Sequence, residues 1–317
     1  MAAPTNTVVT TTAVGNREDL EDMVYRVAPE KTPFTNNIGK AKAKATNHEW
    51  TTEDLATPDA TNSALEGDDV TTFEKNTRTR LGNRTQIFRK AVVVSGTQEA
   101  VDTAGVPSEM ARQKLLKGIE AKRDFEARAL GNYASNEESG ATTRKMGGLL
   151  AFATTNTSRG TGGADGGFAF GNVGAATNGT QRAFALSQID DVQETAFNNG
   201  ASLSQMYMGA SHKRAFSAFT GISDLRTETS KTKQATIVGG ADVYLSNHGP
   251  LTVVPVQYGL TRDVAIIDPD MVCVGTLRGW GYQKLSKTGD NQKGYTLGEK
   301  TLVVKNEKAI AVIADLS

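Results

Sequence analysis

The sequence predicts an α+β fold in which one long helix braces strand-rich units, and three observations carry that expectation. A run of strong helix formers follows Ser108. Short Val- and Ile-rich runs, set apart by Gly, Pro, Asn and Asp, fill the last third of the chain, the pattern of strands between turns. Between Asn47 and Ser95 lies a polar, Thr-rich stretch with few large apolar residues and with its charges sorted by sign.

Taken in order, residues 1–20 are rich in Thr, Val and Asn without helical period, which suggests an arm ordered by partners. Asp19 to Val27 carries Leu20, Met23, Val24 and Val27 at helical spacing before Pro29 stops it. From Asn47 to Glu74 every full charge is acidic, Glu66, Asp68 and Asp69 among them, whereas from Lys75 to Lys90 every one is basic, including Arg78, Arg80 and Arg84. An antiparallel excursion sets the two limbs side by side, where opposite cross-strand charges contribute roughly 0.2 to 1 kcal/mol per pair. A long two-stranded ribbon is marginal alone in water and needs a surface to lie on.

Gly105-Val106-Pro107 breaks the chain, and Ser108 is placed as an N-cap for a helix running through Leu130. Leu115, Leu116, Ile119, Phe125, Ala129 and Leu130 give its apolar side, with Lys114, Lys117, Glu120, Lys122, Arg123, Asp124 and Glu126 outside it. At 1.5 Å rise it spans about 35 Å. Arg159 to Gly179 is glycine-rich and reads as a surface loop; it lacks both the P-loop form and a clean G-x-G-x-x-G. Ser187 to Asn199 reads as a helix opened by a Ser187/Asp190 capping-box variant and ended by Asn199-Gly200. A strand is expected at Gln205–Met208 and a helix at Ser211–Phe219. Strands follow at Thr236–Val238, Ala241–Leu245, Leu251–Val256, Val264–Ile267, Met271–Val274, Thr301–Val304 and Ile310–Ile313. Residues 278–300, with Trp280 and Tyr282, read as a long hairpin.

Composition narrows the function. Thirty-five basic and 35 acidic residues cancel across 317, so no overall field draws the chain to nucleic acid or an anionic membrane. The single cysteine, Cys273, lies in an apolar run and is expected buried; without a partner it leaves the chain free of internal disulfides, as suits a reducing cytoplasm. No stretch approaches the roughly twenty apolar residues of a membrane span, and the N-terminus has no signal-peptide pattern, so a soluble intracellular product is expected. His48, His212 and His248 stand apart, with no H-E-x-x-H, paired C-x-x-C or G-x-S-x-G. Neither metal, cofactor nor catalytic residues are expected, and the chain reads as a non-enzyme.

Ala28-Pro29-Glu30, Thr32-Pro33-Phe34, Ile38-Gly39 and His48-Glu49-Trp50 stand in an order and spacing that resembles the major capsid proteins of short-tailed bacteriophages, which have the Hong Kong 97 type of fold. Lys145 to Leu150 resembles that family's crossing between domains, and Asp268-Pro269-Asp270 its turn after an apolar strand. The resemblance implies an N-terminal arm at 1–46, an extended loop at 47–95, and a peripheral domain with a long spine helix at 96–148. An axial domain at 149–275 and return strands of both domains at 276–317 complete it. It implies a subunit that assembles into hexamers and pentamers of an icosahedral head enclosing double-stranded DNA without sequence-specific binding. Encapsulin-like nanocompartment shells are the alternative use of that fold.

The implied partners are further copies of the chain, a separate scaffolding protein, a portal and, in some phages, a decoration protein, with no membrane. The implied location is the virion capsid, after synthesis in the host cytoplasm. Candidates for contact between subunits are Trp50, Glu66, Asp68, Asp69, Lys75, Arg78, Arg80, Arg84 and Trp280, with cores of the subunit itself the other reading for the two tryptophans. Some relatives join Lys to Asn between subunits, and Lys75 is the nucleophile such a reaction would use. It needs a desolvated amine beside a carboxylate, and the sequence shows neither.

Overall fold

The computed structural model describes residues 28, 30–70, 73, 75–103, 105–219 and 242–317. The expected arm and helix before residue 28 and the strand Thr236–Val238 lie outside the described residues. The chain begins with α1 (Pro33–Asn37), β1 (Gly39–Lys42), β2 (Asn47–Glu53), β3 (Arg78–Arg84), β4 (Gln86–Ser95), α2 (Gly96–Ala100) and α3 (Glu109–Leu130). There follow α4 (Leu149–Phe152), β5 (Asn156–Ser158), β6 (Gly167–Ala169), β7 (Asn172–Gly174), α5 (Leu186–Asn198), β8 (Gln205–Met208) and α6 (Ala210–Ser217). It ends with β9 (Val243–Ser246), β10 (Gly249–Pro255), β11 (Val264–Ile267), β12 (Val272–Lys284), β13 (Asn291–Val304) and β14 (Ile310–Ile313).

Two sheets organise these elements. One has the order β1-β12-β13-β4, with α3 laid across it; the other has the order β5-β14-β11-β8-β10-β9. In the central strands of the second sheet, successive side chains enter different cores. Tyr207, Ala265, Ile267, Ile310 and Val312 join the core shared with α3 and α4, while Met206, Met208, Val264, Ile266, Ala311 and Ile313 join the one under α5 and α6. Both faces of these strands are therefore apolar, which is why Val264–Ile267 and Ile310–Ile313 read as unbroken apolar runs rather than alternating ones.

Several boundaries differ from those expected. Met271–Val274 and Thr301–Val304 are the ends of much longer strands, β12 and β13, which pair from Val272↔Val304 to Lys284↔Gly294. Residues 272–275 thus belong to the four-stranded sheet, beside β1, and not with the six-stranded one. Strand β4, expected inside the polar excursion, is a full member of the first sheet, because Phe88, Val92 and Val94 alternate into the core. Phe34 and Ile38, expected in an arm, are likewise buried core residues. Helix α5 starts at Leu186, and its cap is the side chain of Gln188 accepting from the Ala185 backbone N–H at 3.3 Å.

Ser108 does cap α3, accepting from the Ala111 N–H at 3.2 Å. Two expectations about this helix fail. Only its C-terminal half is covered, by Ala121, Phe125, Ala129 and Leu130, while Leu115 stays 63% exposed. Glu126, expected on the polar side, is completely buried. It accepts from the backbone N–H of Phe34 at 2.8 Å and of Thr35 at 2.9 Å, and from the Thr35 hydroxyl at 2.5 Å. These are unpaired donors of the first turn of α1, which Pro33 opens, so a carboxylate from a distant helix caps the Thr-Pro-Phe segment. Burial pushes the Glu126 carboxyl above its usual range, outweighing those hydrogen bonds.

The glycine-rich loop is not merely a surface excursion. Its ends close on Asp315, fully buried, which accepts from Gly160 N at 3.0 Å, Gly179 N at 2.8 Å and Arg262 at 2.7 Å. A Cβ on Gly160 would sit 2.0 Å from the Thr180 carbonyl oxygen, so the closure requires glycine there. The same holds at Gly148, where a Cβ would lie 2.0 Å from the Gly131 carbonyl at the end of α3. Gly148→Ala is expected to lower the stability of the subunit by about 2–3 kcal/mol through overpacking; a urea titration showing less than about 0.5 kcal/mol would contradict this contact.

Candidate intersubunit surface

Strands β2 and β3 form an antiparallel ribbon in the register Asn47↔Arg84 to Glu53↔Arg78. The sorted charges meet as the sequence implies. Glu53 and Arg78 stand opposite and pair at 3.1 Å, and Arg80 reaches diagonally to Glu49 at 3.4 Å. All four side chains are substantially exposed, so each pair contributes at most about 1 kcal/mol.

The base of the ribbon is firmly held. Asn83, buried, donates to the carbonyls of Leu302 at 2.8 Å and Gly147 at 3.1 Å and accepts from Gly147 N at 2.8 Å. Arg84 pairs with Glu137 at 3.2 Å. Between β3 and β4, the Thr85 hydroxyl donates to Glu299 at 2.9 Å, and its carbonyl accepts from Arg144 at 2.7 Å. Glu299 is almost fully buried and is clamped by Arg144 at 2.6 Å and Arg278 at 2.7 Å. Burial alone would raise its pKa; the hydrogen bonds from Thr85 and Arg278 and the charges of Arg278 and Arg144 outweigh that and hold it below the ordinary carboxylate value. One carboxylate thus ties β13 to β12, to the turn under the ribbon and to the segment before α4.

The tip is different in kind. The described residues of 54–77 form no strand or helix, and Leu55, Leu65, Val70 and Phe73 are between 65% and 88% exposed. Glu66, Asp68, Asp69 and Lys75 are exposed there too, whereas the ion pairs of this region go to Glu49, Glu53, Asp54, Arg78 and Arg80. A firmly rooted ribbon carrying unburied apolar side chains has the character of a contact surface. These four residues were invisible as a group in the sequence, because isolated apolar residues in a polar run show no period.

Trp50 and Trp280 are half-buried against their own subunit. Trp50 lies 6.3 Å from Phe152, and Trp280 lies 6.3 Å from Phe88 with the Lys300 ammonium 5.2 Å from its ring. Among the described residues no cluster of three or more His, Cys, Asp or Glu is placed to hold a metal, and no helix is long and apolar enough to cross a membrane. Cys273 is buried beside Gly39.

Residues 4–317 match the family described as SU10 major capsid protein. The major capsid protein of Escherichia phage Phieco32 is 32% identical over 123 residues, which is 39% of this chain and 35% of that protein. The match thus spans only about a third of that relative's length. Among solved structures, the capsid asymmetric unit of Cyanophage A-1(L) superposes with a TM-score of 0.67 at 10% identity, covering 97% of this chain and 98% of the other. The capsid of a native GTA particle superposes with a TM-score of 0.60 at 12% identity, covering 99% and 100%. A chain from Mycobacterium phage Adephagia gives 0.61 at 10% identity, covering 98% of each. Identities this low show a shared fold.

Proposed function

Because the chain belongs to the family of SU10 major capsid proteins and has the Hong Kong 97-like fold of phage capsids, we propose that it is the repeating subunit of an icosahedral phage head. In that head it forms hexamers and pentamers around double-stranded DNA. The observation that carries the assembly reading is the β2–β3 ribbon: fixed at its base by Asn83, it ends in Leu55, Leu65, Val70 and Phe73, which find no covering surface among the described residues of their own subunit. In a neighbouring copy they find that surface. Many such weak contacts, repeated by symmetry, sum to a stable shell.

In this reading residues 1–46 contain the arm, which leads into the core at Phe34 and Ile38; 47–95 contain the extended loop, with β4 as its return into the four-stranded sheet; 96–148 form the peripheral domain, 149–275 the axial domain up to where β12 enters the four-stranded sheet, and 276–317 the return strands. The exposed charges Glu66, Asp68, Asp69, Lys75, Arg78 and Arg80, and at the base of the ribbon the mostly covered Arg84, meet neighbouring copies, and the half-buried Trp50 and Trp280 present their free edges at the same contacts. The role is structural rather than catalytic. A separate scaffolding protein guides closure, a portal occupies one vertex, and the protein is made in the host cytoplasm. The zero net charge suits a shell that encloses DNA without gripping it. The nanocompartment alternative draws no support from a family match that is to capsid proteins.

Electron microscopy of the protein expressed with its scaffolding partner tests the proposal. Rings of five and six or closed shells are expected. A chain that stays monomeric with its scaffold would end this reading.

A further inference from the structure

The hairpin β6–β7 turns on two residues, Phe170 and Gly171, whose φ angles are 51° and 79°. A two-residue turn with both central residues left-handed suits Asn, Asp or Gly at its first position, because a larger side chain there crowds its own backbone. An aromatic residue is out of place in it. Among the described residues the other non-glycine with positive φ is Asp315, whose conformation is offset by the bonds it accepts from Gly160, Gly179 and Arg262. Nothing comparable holds Phe170. Its side chain is 102% exposed, more than any other large apolar side chain among the described residues.

The hairpin beneath it is firmly held. Val173 is buried; its N–H donates to the Ser135 hydroxyl at 2.6 Å, and its carbonyl accepts from the Ser135 N–H at 2.8 Å. The Asn132 side chain donates to the Ala176 carbonyl at 2.7 Å and accepts from the Ala176 N–H at 2.8 Å. Phe168, two residues before Phe170, packs on the core. A base fixed in this way keeps the Phe170 ring in water.

The same joint carries the ribbon. Val173 lies against Gly147, where a Cβ would come within 2.8 Å of the valine Cβ, and it is the Gly147 backbone that Asn83 of β3 holds through both its N–H and its carbonyl. Strand β7 also packs directly on β3. Ribbon and hairpin therefore project from one base, and a copy that covers the ribbon down to its root comes against the hairpin as well.

We propose that Phe170 is an anchor for a second copy of this chain, its ring buried when the copy that receives the β2–β3 ribbon closes on the ribbon's root. This deepens the capsid reading and rests on it. In the lone subunit the residue brings a left-handed backbone and an apolar ring in water, with no contact that offsets either. A neighbour that covers the ring offsets both, since enclosed aromatic side chains dominate the strength of such contacts. Around a closed capsomer each copy gives one anchor and receives one, so the gain repeats at every contact.

Phe170→Asn separates folding from assembly, because asparagine is preferred at this turn position and the subunit gives up no contact. Its melting midpoint is expected at or above that of the unmodified chain. With the scaffolding partner present, the concentration needed to form rings or shells is expected to rise at least about tenfold. Hydroxyl-radical footprinting of the unmodified chain is the second arm: Phe170 is expected to be oxidised readily in free subunits and to lose that reactivity in particles. Shells from Phe170→Asn at the unmodified concentration, or undiminished oxidation of Phe170 in particles, overturn this inference and leave the capsid reading standing. Protection by the scaffolding protein where no rings or shells form overturns it too, because the occupant is then not a second copy. If the unmodified chain forms no particles with its scaffold, the capsid reading falls and this inference falls with it.

Discussion

Replacement of residues 54–77 by Asn-Gly is expected to give a subunit that folds but no longer forms shells. Glu53 and Arg78 are opposite one another in the ribbon, so a two-residue turn closes the hairpin in register. Exchanging a connection of roughly two dozen residues for two lowers the closure entropy by about 2 kcal/mol, which favours the folded monomer. The deleted residues include Leu55, Leu65, Val70 and Phe73, whose exposure means that the monomer loses little buried surface with them. Thermal melting together with sedimentation velocity and electron microscopy, with and without the scaffolding partner, separates the two effects. A midpoint equal to or above that of the full chain, with no closed particles, is the expected pair of results. Normal shells from the shortened chain would refute the role given to the ribbon.

The second large effect concerns Glu299. Glu299→Ala takes from Arg144, whose side chain is 13% exposed, its buried partner, leaving it the exposed Glu138 at 3.0 Å and the Thr85 carbonyl, and orphans the Thr85 hydroxyl; Arg278, half exposed, regains water. Most of the loss comes from Arg144 and the Thr85 hydroxyl, and about 2–3 kcal/mol is expected, less than for a buried charge left with no partner, because Glu138 still pairs with Arg144. Against a total stability of about 5–15 kcal/mol this is severe. Urea unfolding of Glu299→Ala, Arg144→Met and the double variant checks it. The double is expected to recover much of the single loss, because an apolar replacement leaves no buried charge behind. A loss in Glu299→Ala below about 1 kcal/mol would show that the cluster is not the joint it is taken to be.

Much of the architecture was legible in local patterns. Ser108 announced the start of α3, and Val264–Ile267 and Ile310–Ile313 were found at their observed limits because unbroken apolar runs bounded by turn residues have few other uses. Sorted charge between Asn47 and Lys90 anticipated the pairing of β2 with β3, since sign is carried by single residues and needs no knowledge of distant chain. Strand β4 was folded into the excursion because Phe88, Val92 and Val94 alternate so sparsely among polar residues that only the presence of α3 shows which face is inside.

The sequence by itself determined the α+β class, the long helix, the rooted polar ribbon and, through the segments around Thr32-Pro33-Phe34 and His48-Glu49-Trp50, the family. Tertiary structure alone decided the roles of the buried charges. Glu126 reads as one more polar residue on a helix, yet it caps α1 from about ninety positions away; Asp315 reads as a tail residue, yet it closes the glycine-rich loop. The reason is physical: periodicity records which face of an element is apolar, whereas the partner of a buried charge is set by which distant segments the packed core brings within hydrogen-bond reach.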